Sequence, residues 1–414
     1  MKKSTTPNAV SKDDIFKDAE KVFSKSYVNL VREKGHDFLE EGYLGSTLND
    51  SDGKNYLDCC TSDGKFNLGR SNTAIIERFK KAIYETDQGN FVMPSQEKTL
   101  LAKKISEFVP GNLDCVLYGV TRGESMDAAC KLARGFTGRP ELVTVDRGCY
   151  GESGFALSLS DRAGKEQFGQ LIQAVKVIPF GDIEAAQKAI GRMTAAVVME
   201  PIQAENHCRT ADAGYYARVR ELCTNAGAKL IFDETQSGFG RTGTRFFFEQ
   251  IGVIPDILII GEAITSGMFP MTAMVFTSEL KGFFDIHPLI HLCTFGGHDI
   301  GCLVAMKALD EYDRLKPWGN AANLGNVLIR ELSTLAGKNK EKVLSVAGKG
   351  LLISLKMANR DLALKFCAAA RNAGLLVNTG SVDGSTVLIR PSLLIDKKEN
   401  GQILDIVDKT LQAI

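Results

Sequence analysis

The stretch KLIFDETQSGFGRTGTRFFFEQIGVIPDILIIGEAITSGMFP, residues 229–270, decides the fold of this chain. It contains two short runs, KLIFDE (229–234) and DILIIG (256–261), in which apolar residues follow one another without alternation. Such runs are typical of strands that are covered on both faces of a sheet. The stretch therefore predicts two strands of a buried, mostly parallel sheet.

Similar runs lie on both sides of this stretch. They are CVLYGV (115–120), LVTVD (142–146), AAVVME (195–200) and TAMVFT (272–277). Amphipathic helical patterns separate the strands, at residues 124–136, 183–192 and 214–226. Because strands and helices alternate along the chain, we expect an α/β fold with a mostly parallel sheet.

The pattern changes towards both ends of the chain. Residues 1–75 are rich in turns, and TLNDSDGKNYLDCC (47–60) indicates a β-hairpin. Residues 315–414 indicate an α+β segment with helices near 319–336 and 359–373. We expect residues 76–314 to form a large domain, and the two ends to form one smaller domain around it.

The composition is that of a globular protein. Of the 414 residues, 44% are hydrophobic and 24% are charged, and 50 basic residues balance 50 acidic ones. A chain without net charge does not attract polyanions, so we expect small polar substrates and no nucleic acid. No apolar run reaches the roughly 18 residues of a membrane span, and the N-terminal stretch lacks the apolar segment of a signal peptide. We expect a cytoplasmic protein without a membrane partner.

The ten cysteines have no metal-binding spacing, so we expect no metal site.

The most conspicuous motif is GFGRTG at 238–243, which matches the dinucleotide pattern G-x-G-x-x-G. In a dinucleotide site, the first glycine follows the strand directly, whereas here Asp233 to Ser237 intervene and the aromatic run FFFEQ comes after. The pattern therefore favours a glycine-rich turn that shapes a loop.

Two further features indicate an anion site and a paired carboxylate. Thr121, Arg122 and Gly123 stand between a strand and a helix, where the N–H groups of the helix N-terminus can bind an anion. Asp233 and Glu234 end the most apolar strand, where a carboxylate is costly to bury unless it is paired. Asp233 could be a helix cap or a surface residue, or it could be the partner of a protonated pyridine nitrogen.

These residues together resemble a known family. Residues 229–270 resemble the signature of the class III aminotransferases (acetylornithine/ornithine, or ω-amino-acid type), which use pyridoxal 5′-phosphate on the fold type I scaffold. Further motifs match in the family's order: NLGRSN (67–72), VTRGESMDAACKLAR (120–134), CYGESGFALS (149–158), VVMEPIQ (197–203) and TFGGHDIGC (294–302). The resemblance implies a large domain with a mostly parallel mixed sheet and a smaller α+β domain.

The resemblance also implies which residues contact the cofactor. They are Asp233 at the pyridinium nitrogen, Gln236 near the phenolic oxygen, Tyr150 stacked on the ring, Arg122 and Gly123 at the phosphate, and Thr294, which would reach the phosphate from a neighbouring subunit. A homodimer with shared active sites is implied by the last of these roles.

One position departs from the family pattern. The family places its Schiff-base lysine after the strand that DILIIG matches, and here Glu262 stands there, with no insertion or deletion between Asp233 and Glu262. No covalent bond to the cofactor can then form through residue 262. A carboxylate could still act as general acid and base, and it could accept a hydrogen bond from the ammonium group of pyridoxamine 5′-phosphate. We expect either form of the cofactor to bind non-covalently.

Two residues are candidates for contacts with the substrate. Lys65, in SDGKFNLG, lies in a segment that lines the family's active-site entrance, and its amine could substitute for the missing lysine. Arg390, in IRPSLLI, could bind a substrate carboxylate or could be structural. His298 replaces an asparagine of the family and could approach the phosphate or have a structural role.

The sequence leaves more than one function open. One is an enzyme that performs amino-group, elimination or proton-shift chemistry on a small amino or keto acid, with Glu262 as its catalytic residue. A second is a catalytically silent homologue that binds the cofactor as a sensor or partner subunit. A third is a transaminase inactivated by an engineered replacement of the lysine.

Overall fold

The computed structural model describes residues 11–90 and 92–414, so the first ten residues of the N-terminal stretch considered above lie outside the described part. The strands in chain order are β1 (Glu40–Leu44), β2 (Thr47–Asp50), β3 (Asn55–Asp58), β4 (Cys115–Gly119), β5 (Glu141–Val145), β6 (Val175–Ile178), β7 (Thr194–Met199), β8 (Lys229–Asp233), β9 (Ile257–Gly261), β10 (Thr272–Phe276), β11 (Val343–Lys349), β12 (Leu352–Met357), β13 (Leu375–Leu376), β14 (Asn378–Thr379) and β15 (Thr386–Ile389).

The helices complete the order. They are α1 (Lys12–Val22), α2 (Lys25–Glu33), α3 (Thr61–Gly64), α4 (Thr73–Glu85), α5 (Gln96–Phe108), α6 (Arg122–Thr137), α7 (Gly154–Leu159), α8 (Ile183–Ala189), α9 (Ala213–Ala226), α10 (Phe248–Ile251), α11 (Ser278–Ile286), α12 (Asp299–Leu315), α13 (Pro317–Lys338), α14 (Arg360–Asn372) and α15 (Lys397–Ala413). Short 3-10 turns lie at Lys165–Phe168 and Ala263–Thr265.

The central sheet has the strand order β4-β10-β9-β8-β7-β5-β6. Strand β10 pairs antiparallel with both β4 and β9, whereas the pairs from β9 to β6 are parallel. All six strands that the sequence predicts are therefore confirmed, as is the mostly parallel sheet. The sheet contains one more strand, β6, which the apolar pattern did not indicate.

Both faces of the central sheet are buried. Every residue of β7, β8, β9 and β10 is buried. Helix α6 packs across one face, and α9 and α12 contribute to the core on the other. Because both faces are covered, both sets of alternating side chains must be apolar, which explains the continuous runs in the sequence.

Two smaller four-stranded sheets flank the central sheet. The first has the order β1-β2-β3-β13, and its β2–β3 pair is the predicted hairpin. Strand β13 pairs parallel with β3, through Leu375 opposite Leu57, so this sheet joins both ends of the chain. The second sheet, β11-β12-β15-β14, is antiparallel. Among the described residues, no helix combines the length and apolar character needed to cross a membrane.

The GFGRTG motif forms a loop after β8, as the glycine-rich-turn interpretation predicts. Gly240 and Gly243 have φ values of 91° and 101°, which few residues other than glycine adopt. Arg241 is buried and donates to the Oδ1 of Asn67 at 2.6 Å and to the carbonyl of Pro391 at 2.5 Å. The loop thus holds the central sheet against segments from both ends of the chain.

Candidate active site

Asp233, Glu262 and the start of α6 lie at one edge of the central sheet. Strands β8 and β9 are parallel neighbours, with Asp233 opposite Ile259, so Asp233 and Glu262 emerge at the same carboxyl edge. The antiparallel pairs bring Thr272 opposite both Gly261 and Gly119, which places the start of α6 at this edge as well. Parallel strands with helical crossovers form their ligand crevices at such edges.

Helix α6 begins at this edge with a tightly packed N-terminus. Thr121 caps the helix, since its hydroxyl accepts from the N–H of Glu124 at 3.3 Å. Gly123 is buried, and a Cβ at this position would lie 2.6 Å from the Oγ of Ser153. Among the described residues, that Oγ has no hydrogen-bond partner. Because the N–H groups of a first helical turn lack helical partners, the start of α6 can donate to an anion, as the sequence predicts.

The side chain of Arg122 points to two carboxylates. Its Nε donates to Asp233 Oδ2 at 2.7 Å, and its terminal nitrogen donates to Glu200 Oε1, also at 2.7 Å. The second oxygen of Glu200 accepts from the N–H of Cys149 at 2.9 Å. The Arg122 guanidinium is therefore paired with two carboxylates, and its place at a phosphate stays a prediction.

A single cation, Arg122, forms ion pairs with two buried carboxylates. The side chains of Glu200 and Asp233 are 1% and 0% exposed. Burial raises the pKa of Glu200 to about 7, although the Arg122 charge opposes this effect. Burial alone would lower the pKa of Arg122, but Asp233 and Glu200 raise it well above its ordinary value. With both carboxylates ionised, the cluster carries one uncompensated negative charge.

The remaining contacts of Asp233 and Gln236 are internal. Asp233 Oδ1 accepts from the N–H and the hydroxyl of Thr235 at 3.0 and 2.7 Å. Gln236 donates to the carbonyl of Asp63 at 2.9 Å and accepts from Arg390 at 2.8 Å. Asp233 is thus fully buried at the end of β8, whereas Gln236 is bonded to the neighbouring turn and to Arg390.

Glu262 directly follows β9 and faces Lys65. Its φ is +30°, a conformation that non-glycine residues rarely adopt. Its Oε2 lies 3.1 Å from Lys65 Nζ, and the two side chains are 25% and 37% exposed. Both line a cavity of about 380 Å³ that extends to Val120 and Thr121. The structure therefore brings the two residues together beside the start of α6.

A left-handed turn presents Lys65 to this cavity. Thr61, Ser62, Asp63 and Gly64 all have positive φ values, between 44° and 82°. Three successive non-glycine residues in this region are strained, and such strain is held only where surrounding contacts fix it. Here Asp63 provides that contact, because its Oδ1 accepts from Arg390 at 2.9 Å.

Arg390 is fully buried, and both of its terminal nitrogens donate hydrogen bonds, whereas its Nε has no partner among the described residues. It donates to Glu205 at 3.0 Å, in addition to its bonds to Asp63 and Gln236. A further bond runs to Asn378 at 3.2 Å. The guanidinium therefore has structural partners, and a substrate carboxylate could reach it only by displacing one of them.

Tyr150 lies in the core beside the central sheet. The residue is fully buried on the α6 side of the sheet, and its hydroxyl contacts Thr144 at 3.0 Å and the carbonyl of Val198 at 3.4 Å. Its stacking on a cofactor ring stays a prediction. Counting back from Gly151 in the aromatic-H-G pattern puts Cys149 at the aromatic position.

The loop between α11 and α12 carries the other two predicted residues. Thr294 is exposed on this loop. His298 is 4% exposed, accepts from the N–H of Gly301 at 3.0 Å and packs on Phe269 with ring centres 4.5 Å apart. Burial lowers the pKa of His298. Its cap bond and its ring contact make His298 structural.

Sequence reasoning missed two carboxylates of this region. Glu200 stands in the VVMEPIQ motif, but only its contact with Arg122 gives it a role. Glu205 is the second, and its contact is Arg390. A carboxylate directly after a buried strand was the available signal for Glu200, and it is the same signal that identified Asp233.

The donor set of the site fits the chemistry of pyridoxal 5′-phosphate. The start of α6 offers N–H groups to a phosphate. Asp233 Oδ2 already accepts from Arg122 Nε, a planar cationic N–H donor of the same kind as a protonated pyridine nitrogen. That nitrogen would also supply the positive charge that Asp233 and Glu200 lack. A bound ring would have to replace Arg122 Nε at Asp233.

Comparison with known proteins gives one consistent family. Residues 32–411 match the family model described as Aminotransferase class-III. The chain is 34% identical over 368 residues to an uncharacterized aminotransferase of Archaeoglobus fulgidus, covering 88% of this chain and 86% of the relative. It is 31% identical over 367 residues to the acetylornithine aminotransferase of Methanosarcina mazei, covering 88% and 89%.

The fold is also similar to solved structures. The ornithine aminotransferase of Toxoplasma gondii ME49 superposes with a TM-score of 0.91 at 22% identity, covering 98% of this chain and 96% of that chain. An (S)-enantioselective omega-transaminase from Thermomicrobium roseum superposes with a TM-score of 0.89 at 25% identity, covering 98% and 99%. These likenesses confirm the predicted fold type I architecture.

Proposed function

This chain belongs to the class III aminotransferase family, and on that premise we propose that it binds pyridoxal or pyridoxamine 5′-phosphate non-covalently and transfers amino groups or protons without a lysine at residue 262. Class III aminotransferases use pyridoxal 5′-phosphate and act on small amino acids. The proposal concerns how Glu262 works where these enzymes have their lysine.

The proposal that Glu262 exchanges protons rests on the position of its carboxylate. Its carboxylate lies at the end of β9, in the cavity that Thr121 also lines, and β9 is the parallel neighbour of the strand that ends in Asp233. A general acid or base must lie near the reacting atom in order to exchange a proton with it. Glu262 is 25% exposed and lines the same cavity as Thr121, the first residue of the proposed phosphate site.

Each residue of the site has a separate role in the proposed reaction. The cofactor, when bound, supplies a carrier for the amino group and a ring that accepts electrons. Asp233 would keep the ring nitrogen protonated, and the N–H groups at Gly123 would hold the phosphate. Glu262 would move the proton through its Oε2. Lys65 Nζ, 3.1 Å away, can return a proton to that oxygen from the solvent side.

The substrate and the second subunit are part of the proposal. We expect a small amino or keto acid whose carboxylate competes with Asp63 or Glu205 for Arg390. We also expect a homodimer in which Thr294 reaches the partner's phosphate site. Exposed apolar side chains at the end of α11 and on the same loop support that contact, and they are Ile286, Leu289, Ile290, Leu292 and Phe295.

A second function has its own support. Asp233 and Arg390 both have internal partners for their charges. A homologue that binds the cofactor without turnover would retain such a satisfied pocket. The two functions differ in whether Glu262 moves a proton.

A single-turnover experiment tests the proposal. Protein loaded with pyridoxamine 5′-phosphate is mixed with a panel of small keto acids, and formation of the aldehyde form is followed by absorbance. We expect turnover in the wild type and a loss of about 10²-fold or more in Glu262→Gln, the usual contribution of a general acid–base. Glu184→Gln, an exposed carboxylate on α8, is the matched control.

The outcomes separate the two functions. Equal rates in the wild type and Glu262→Gln would remove Glu262 from the chemistry. Cofactor binding without turnover for any keto acid would favour the silent homologue.

A further inference from the structure

The Arg122 side chain occupies the place that a pyridinium nitrogen would take. We propose that Arg122 is an internal competitor of the cofactor ring: its Nε donates to Asp233, and a ligand binds by exchanging its own protonated ring nitrogen for Arg122 Nε. This inference rests on the proposed function, since it concerns the ring that the same pocket would bind.

The geometry leaves only one oxygen of Asp233 for such a ring. Oδ1 accepts two bonds from Thr235, its neighbour in the chain, and these are fixed by the local backbone. Oδ2 accepts from Arg122 Nε at 2.7 Å, across 111 positions of sequence. Because the Asp233 side chain is 0% exposed, a ligand N–H can reach Oδ2 only if the guanidinium moves.

The charges explain why Arg122 would leave only one of its two carboxylate partners, Asp233. Arg122 also donates to Glu200 Oε1 at 2.7 Å, through a different nitrogen. If the ring nitrogen pairs with Asp233, Arg122 can remain on Glu200, and the site then holds two cations and two carboxylates. Each buried charge would have a partner, which is the condition for burying ions at acceptable cost.

The exchange has a consequence for ligand selection. A ring that carries a protonated nitrogen replaces the bond it breaks, whereas a ring without nitrogen leaves Asp233 facing a C–H group. The wild-type pocket therefore binds a pyridinium phosphate more weakly than a pocket without Arg122, and it resists aromatic phosphates that lack the nitrogen. In this chain, residue 122 acts as a specificity determinant at the ring nitrogen.

The test measures binding alone and needs no turnover. The probes are 4-deoxypyridoxine 5′-phosphate, which has the ring nitrogen but no aldehyde, and its 1-deaza analogue, in which carbon replaces that nitrogen. Affinities are measured by isothermal titration calorimetry for the wild type, Arg122→Gly and Arg122→Gln. Lys131→Ala, an exposed position on the same helix, is the control. Far-UV circular dichroism and thermal melting confirm that each variant is folded, and the glutamine variant keeps the test possible if glycine weakens the helix start.

The outcomes distinguish this inference from the proposed function. We expect Arg122→Gly and Arg122→Gln to bind the nitrogen-containing probe at least about tenfold more tightly than the wild type, equal to about 1.4 kcal/mol, and the deaza probe to be the weaker ligand of every variant. Unchanged or weaker binding of the first probe in both Arg122 variants would overturn the inference and leave cofactor binding intact. A gain in Arg122→Gly alone would also overturn it, because Arg122 would then act by bulk, and so would equal affinities for the two probes, because the ring nitrogen would then not pair with Asp233. If no variant binds either probe, the inference and the proposed function both fail.

Discussion

Replacing Glu200 by glutamine should change how the stability of the protein depends on pH. Glu200 is 1% exposed, and burial raises its pKa from 4.5 to about 7. The folded state therefore binds a proton at pH values where the unfolded state has lost it, so the unfolding free energy falls as the pH rises from 4.5 to 7. At 1.36 kcal/mol for each pH unit, the total effect is about 3 kcal/mol, most of it between pH 5 and pH 8.

The assay compares urea unfolding of the wild type and Glu200→Gln at pH 5, 6, 7 and 8. Glutamine removes the titration but also changes the contacts with Arg122 and Cys149, which adds an offset that does not vary with pH. The readout is therefore the slope: relative to the wild type, the variant should gain about 2–3 kcal/mol between pH 5 and pH 8. A difference that stays constant with pH would refute the reasoning, because Glu200 would then remain ionised throughout.

Two further predictions concern the stability contributed by two charged side chains, Arg390 and Lys65. Arg390→Ala should lower the unfolding free energy by about 3 kcal/mol or more, because it leaves Glu205 without its buried partner; a loss below about 1 kcal/mol in urea unfolding would show that the guanidinium is not a structural anchor. Lys65→Met should cost less than about 1 kcal/mol, because its pair with Glu262 is partly exposed. Urea unfolding also measures this change in unfolding free energy, and a loss larger than about 1 kcal/mol would mean that this ion pair stabilises the fold.

The sequence predicts the central sheet well because burial leaves a strong pattern. Strands covered on both faces need apolar side chains at every position, as in LIIG before Glu262, and such runs are visible without any partner. Strand β6 was missed because it lies at the edge of the sheet, where Lys176 and Val177 face solvent. An edge strand of four residues has neither the length nor the continuous apolar run that identifies the others.

The sequence predicts where the site lies but not how its side chains pair. Asp233 and Glu262 both follow buried strands, so their meeting at one edge follows from topology alone. The bond between Arg122 and Asp233 depends on one side-chain rotamer, and nothing in the spacing encodes it. The hydrogen bond between the Tyr150 hydroxyl and Thr144 likewise depends on how the side chain turns, which the spacing does not encode.

The central claim is our proposal that Glu262 takes the place of the family's lysine, so that no residue of this pocket bonds covalently to the cofactor. The most direct test is to load the wild type with pyridoxal 5′-phosphate, reduce it with borohydride and map the peptides by mass spectrometry, with Glu262→Lys treated in parallel. We predict no cofactor on any pocket peptide of the wild type and an adduct at residue 262 of the variant. A stoichiometric adduct on the wild-type peptide that contains Lys65 would contradict the claim.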